Sequence, residues 1–87
     1  MATPVRPVEP VYPRRERLLG READVELALE VDVEGRVRNV VVVRSAGRRF
    51  DQASIEAVRR TRFRPAVREG RPVRSRVGYT VRYRLGG

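Results

Sequence analysis

At 87 residues the chain holds one small domain and no more, and its 40% hydrophobic but only 6% aromatic content means a core of Val, Leu, Ile and Ala. The absence of both cysteine and histidine excludes disulfides, thiol nucleophiles and thiolate metal sites, and removes the commonest metal ligand and general base, so neither an enzyme nor a cofactor or metal site is expected. A formal charge of +9 would suit nucleic acid, but it is unevenly placed: residues 44–87 carry 13 Arg against 3 acids, whereas residues 1–43 carry 7 Arg against 8 acids.

Residues 1–11 read as the end of a proline-rich linker, because Pro4, Pro7, Pro10 and then Pro13 recur every third residue and favour extended backbone. The same prolines break up any signal-peptide core, and the longest wholly apolar run is residues 40–43, far short of a membrane span. A soluble domain over residues 12–87 is expected, with targeting information elsewhere. Pro13 can occupy a first helical turn, residues 14–19 continue as helix formers, and Gly20 supplies a stop.

From Val25 the pattern alternates: Val25, Leu27, Leu29, Val31 and Val33 are apolar, with Asp24, Glu26, Glu30 and Asp32 between them, which predicts a half-buried strand. Glu34-Gly35 fits a tight hairpin, and residues 36–44 return antiparallel. The apolar phase slips between Val37 and Val40, predicting a bulge near Arg38 and Asn39. Asp51 is read as the N-cap of a second helix over residues 51–62, with Phe50 and Ile55 as a hydrophobic staple and Pro65 enforcing its end. After a loop through Glu69-Gly70-Arg71-Pro72, a final strand runs over residues 73–85, with Val73, Ser75, Val77, Tyr79, Val81, Tyr83 and Leu85 on one face and Arg74, Arg76, Arg82 and Arg84 on the other.

The order helix, strand, strand, helix, strand predicts an α+β fold: a three-stranded antiparallel sheet with two helices packed on one face. Charge sets the strand order. Acids on the first strand and arginines on the last would pair if the two lay side by side, Asp24 and Glu26 facing Arg82 and Arg84, Glu30 and Asp32 facing Arg74 and Arg76. The last strand then becomes a sheet edge, whose unpaired backbone groups invite an added strand unless its arginines and Gly78 guard it.

Other candidates read as structural. Arg59, Arg60, Arg62, Arg64 and Arg68 follow the second helix as a solvated, dipole-complementing cluster, with only Phe63 nearby for base stacking, so no nucleic-acid partner is expected. Ser45, Ser54 and Ser75 have no base in any motif, and the scattered glycines form no phosphate-binding pattern.

Tyr12-Pro13, Gly20, Gly35-Arg36-Val37, Ser45, Gly47, Phe50-Asp51, Ala53, Ile55, Ala57-Val58-Arg59, Phe63-Arg64-Pro65-Ala66, Gly70 and Pro72-Val73 resemble, in type and order over residues 10–85, the TonB C-terminal domain family. The resemblance departs at Ala23, where the family often has a second Gly, and at Thr61, where it often has Trp. It implies a periplasmic domain of an inner-membrane-anchored energy transducer driven by motor proteins. Such a domain pairs its final strand with the TonB-box segment of an outer-membrane TonB-dependent transporter and approaches the transporter plug near the Tyr-Pro motif. Carried onto this chain, the partner-binding positions are Tyr12, Pro13, Arg14 and Arg15, then Arg74, Arg76, Val77, Gly78, Tyr79, Thr80, Val81, Arg82 and Tyr83. Arg15 is the side chain best suited to an acidic contact. The resemblance also admits an adaptor in a non-transport envelope machine, and the residues themselves admit a homodimer through the final strand or a basic nucleic-acid-binding domain.

Overall fold

The computed structural model describes residues 1–86. In chain order it contains β1 (Thr3–Pro4), α1 (Arg14–Leu18), β2 (Ala23–Val31), β3 (Val37–Arg44), α2 (Arg48–Arg59), β4 (Phe63–Arg64), β5 (Ala66–Arg68), β6 (Arg71–Val73) and β7 (Ser75–Tyr83). The main sheet is antiparallel with order β3-β2-β7, so the predicted α+β architecture and the neighbouring of first and last long strands both hold. Two small ladders, β1 with β4 and β5 with β6, supplement it.

Alternation in β2 places Val25, Leu27, Leu29 and Val31 at 0–1% exposure, and Val77, Val81 and Tyr83 of β7 join them on the same face. Full burial of a Val or Leu side chain contributes roughly 1.5–3 kcal/mol, so this central strand anchors the fold. Phe50, Ser54, Ala57 and Val58 recur at i, i+4, i+7 and i+8 along α2 and form the stripe that covers the sheet. Inside that layer the Ser54 hydroxyl donates to the Phe50 carbonyl at 2.8 Å and lies 2.8 Å from the Tyr83 hydroxyl, which satisfies two buried polar groups.

The predicted bulge is present: between Glu30 and Val31 the β3 partner steps from Asn39 to Val37, leaving Arg38 extra. A second, at Val43, lies where four consecutive valines erase the alternation that would reveal it. At the hairpin, Gly35 has φ +84°, and its carbonyl accepts from the Phe63 N–H at 2.9 Å.

Three expectations are corrected. The second helix starts at Arg48 with Gly47 as N-cap, and ends at Arg59 rather than residue 62. Asp51 therefore sits inside the first turn, and its carboxylate reaches back to accept from the Ala46 N–H at 2.9 Å and from the Ser45 hydroxyl, holding the loop from within the helix. The final strand is shorter than residues 73–85, because β6 turns away at the Glu69-Gly70 hairpin and β7 begins at Ser75. Of the ion pairs, Asp24 takes Arg84 at 2.7 Å and Glu30 takes Arg74 at 2.9 Å, but Glu26 faces Thr80 and pairs with Arg44 of β3 at 3.5 Å. Asp32 likewise turns into its own hairpin, accepting from the Glu34 and Arg36 amides and from Arg38.

The first residues lie against the domain. Ala2 is 2% exposed, Thr3 and Pro4 pair with Arg64 and Phe63, and the Val5 N–H donates to the Arg62 carbonyl at 2.9 Å. The proline spacing foresees the extended backbone, but a single small Ala gives no sign of docking.

Candidate partner-binding site

β2 is hydrogen-bonded on both sides, which leaves β7 with one side unpaired among the described strands. Its nine residues run in unbroken register with β2, from Ala23 opposite Tyr83 to Val31 opposite Ser75. At about 3.4 Å per residue the edge is roughly 30 Å long, and in an antiparallel strand every second residue directs its N–H and C=O outward. β3 also forms a sheet edge, but its two bulges break the even spacing an incoming strand requires. The regular edge is β7.

The predicted residues on that edge divide by face. Val77, Val81 and Tyr83 are buried in the core, and Tyr79 is half-buried with its ring 6.4 Å from that of Phe63. These four offer a partner mainly backbone. Arg76, Gly78, Thr80 and Arg82 are exposed on the outer face. Arg76 and Arg82 stand outside every ion pair of the described residues, although Glu30 and Asp24 lie directly across from them on β2, and they flank Gly78 and Thr80. Arg74 is occupied by Glu30.

The fold brings the other predicted segment to the same end of the molecule. The Tyr12 ring meets Tyr83 at 5.5 Å and Phe50 at 5.8 Å, both edge-to-face, and the Arg17 guanidinium lies 5.6 Å from its centroid. Its hydroxyl donates to the Arg21 carbonyl. Tyr12 thus fastens α1 to the end of β7, and its ring is half-buried. Pro13 caps α1, while Arg14 and Arg15 are exposed on the rim of an open groove of about 730 Å³ between α1 and α2. Leu18, Leu19, Gln52, Ala53 and Glu56 line the same groove. Sequence reasoning missed these five; Leu18 at 76% and Leu19 at 55% exposure are the visible signal, two leucines at the end of a helix too short to have a clear buried face.

The polar groups near these surfaces are braces. Glu16, 7% exposed, accepts from Arg21 at 3.2 Å and lies 3.8 Å from Arg49, tying α1 to the start of α2. Burial pushes the Tyr83 phenol above its ordinary pKa, the charge of Asp51 adds to this, and the Ser54 hydrogen bond opposes it. Among the described residues no group of His, Cys, Asp or Glu could hold a metal, and no helix is long and apolar enough to cross a membrane.

Comparison with known proteins places these features. The family model described as Gram-negative bacterial TonB protein C-terminal matches residues 8–85. The chain is 31% identical over 81 residues to Protein TonB of Vibrio cholerae serotype O1, covering 92% of this chain and 33% of that protein, so it spans about a third of the relative's length. The solution NMR structure of the Pseudomonas aeruginosa TonB CTD superposes with a TM-score of 0.80 at 28% identity, covering 99% of this chain and 88% of the other.

Proposed function

This chain belongs to the Gram-negative bacterial TonB protein C-terminal family, and from that premise we propose that it is the periplasmic C-terminal domain of an energy transducer that captures outer-membrane partners by strand addition to β7. One observation carries the reading: β7 is a bulge-free edge in continuous nine-residue register, beside which the other edge is bulged twice. A TonB-box segment of a TonB-dependent transporter would lie antiparallel or parallel along it. About four or five outward-facing residues offer roughly eight to ten backbone hydrogen bonds at about 1 kcal/mol net each, and the cost of ordering the peptide offsets most of that, which gives weak and reversible capture. Arg76 and Arg82 favour acidic side chains in the captured segment, and Arg14 and Arg15 offer a second contact, with Arg15 the leading choice.

In this reading residues 12–87 are the binding domain and residues 1–11 the docked end of a linker running towards an inner-membrane anchor and its motor proteins. The domain transmits force and performs no chemistry. A homodimer through β7 would occupy the same edge and so compete with capture.

Titration of the ¹⁵N-labelled chain with TonB-box peptides tests the proposal. Amides of residues 75–83 are expected to shift and gain protection from exchange. Saturable binding that leaves those amides unmoved while perturbing another surface would sink the strand-addition reading.

A further inference from the structure

Away from the β7 edge, arginines from three segments converge on one cleft. Arg36 and Arg38 from the hairpin and the start of β3, Arg59 and Arg60 from the end of α2, and Arg62 from the approach to β4 line a cleft of about 300 Å³ with Val37 and Thr61. Along the sequence the helix-end arginines look like a solvated tail. The fold sets them opposite two more, one from the β2–β3 hairpin and one from the start of β3.

The cleft is braced before any ligand arrives. Arg38 Nε donates to Asp32 Oδ2 at 2.7 Å, and Arg62 Nη1 donates to the Glu34 carbonyl at 3.1 Å. Asp32 Oδ1 accepts from the Glu34 and Arg36 amides, each at 2.9 Å, and the Phe63 N–H reaches the Gly35 carbonyl at 2.9 Å. Arg36, Arg59 and Arg60 take part in no ion pair of the described residues, so Asp32, through Arg38, is the one carboxylate paired with any of the five guanidiniums. The partial charge at the α2 C-terminus offsets about half an elementary charge, which leaves most of the surplus in place.

We propose that this cleft binds a phosphate-bearing anion, a phosphoryl or diphosphoryl group held by guanidinium forks arriving from three segments. A carboxylate presents two coplanar oxygens and one charge, which a single fork satisfies. A phosphoryl group presents three acceptor oxygens and nearly two charges, which matches several unpaired forks converging from different directions. At about 30 Å³ per water molecule, the cleft has room for roughly ten waters, enough for a diphosphate with part of its hydration shell. Arg60, Thr61 and Arg62 also line an adjoining depression with Arg6 and one carboxylate, Glu9.

The test uses inorganic pyrophosphate as the probe at physiological ionic strength. Saturable shifts are expected at amides of residues 36–38 and 59–62, and R36A/R59A/R60A should bind at least about tenfold more weakly, since each charge-assisted hydrogen bond is worth about that factor. R59A/R60A, which leaves the hairpin untouched, should show an intermediate loss; circular dichroism confirms that both variants fold. R48A/R68A/R71A removes equal charge outside the cleft and should bind as the parent does. Phosphatidic acid vesicles displaced by pyrophosphate would mark a lipid phosphate as the source; pyrophosphate binding without vesicle binding would mark a soluble one. The proposal fails if pyrophosphate gives no saturable shift, if the control variant loses as much as R36A/R59A/R60A, or if the cleft binds duplex DNA that pyrophosphate does not displace.

Discussion

Gly35→Ala should be the most damaging glycine-to-alanine change among the described residues. A Cβ at this position would stand 1.9 Å from the Phe63 carbonyl oxygen and 3.0 Å from its carbon, both backbone atoms that cannot swing aside. The residue also has φ +84°, which costs a non-glycine residue roughly 1–2 kcal/mol by itself. Relief of the collision requires β4 to move, breaking the Phe63 N–H bond to the Gly35 carbonyl and disturbing the seat of Phe63, which is 2% exposed. A lost hydrogen bond of about 1 kcal/mol and partial loss of an aromatic contact bring the total to roughly 3–4 kcal/mol. For a domain of this size that lowers Tm by about 12 °C or more. Gly20→Ala separates the contributions, because Gly20 has φ +71° but nothing within 4 Å of its would-be Cβ. It should lose only the backbone part, about 1–2 kcal/mol. Urea and thermal unfolding of both variants provide the comparison, and equal losses would refute the assignment of the larger penalty to the β4 contact.

Two further outcomes follow from the polar contacts. Tyr83→Phe removes one partner of the buried hydroxyl pair but leaves Ser54 bonded to the Phe50 carbonyl, so it should cost about 0.5–1.5 kcal/mol. Ser54→Ala strands the Tyr83 hydroxyl with only a 3.4 Å contact to Phe50 and should cost more, about 1–3 kcal/mol, with the double variant below the sum in chemical denaturation. The Asp32 carboxyl is held below its ordinary pKa, first by the Arg36 amide; desolvation opposes this as the next largest effect, and hydrogen bonds from Arg38 and the Glu34 amide restore the lowering. Its folded pKa is depressed, so its contribution is present above about pH 4 and disappears as pH falls through the folded value. The Tm gap between the parent and Asp32→Asn should accordingly be open at neutral pH and close in acid; a gap unchanged by pH would remove Asp32 ionisation as its cause.

The parts of the fold legible in sequence are those where one residue type repeats with one period. Val25 to Val31 and Val77 to Tyr83 alternate cleanly because each strand has one buried and one solvated face. Strand order was legible because opposite charges collect on the two outer faces, although the pairs formed diagonally and Glu26 and Asp32 found closer arginines on β3 and its hairpin. The start of α2 was misplaced because Asp51 bonds the same loop whether it precedes the helix or sits in its first turn. The ladders of β1, β4, β5 and β6 are two or three residues long, too short for any period to show. For the candidate site, the edge was legible from strand order, while the α1–α2 groove and the arginine cleft were not, since each assembles residues far apart in the chain.

The unequal condition of the two sheet edges also governs what assemblies the domain can build. If one copy's β7 could dock on another's β3, the sheet would extend from molecule to molecule without end, as any heterologous contact that fails to close must do. The bulges at Arg38 and Val43 deny β3 the spacing for that contact. Pairing of β7 with β7 is isologous, spends the single regular edge of each copy, and stops at two. A domain whose sheet has one regular edge and one bulged edge is thereby protected from growing into a fibre.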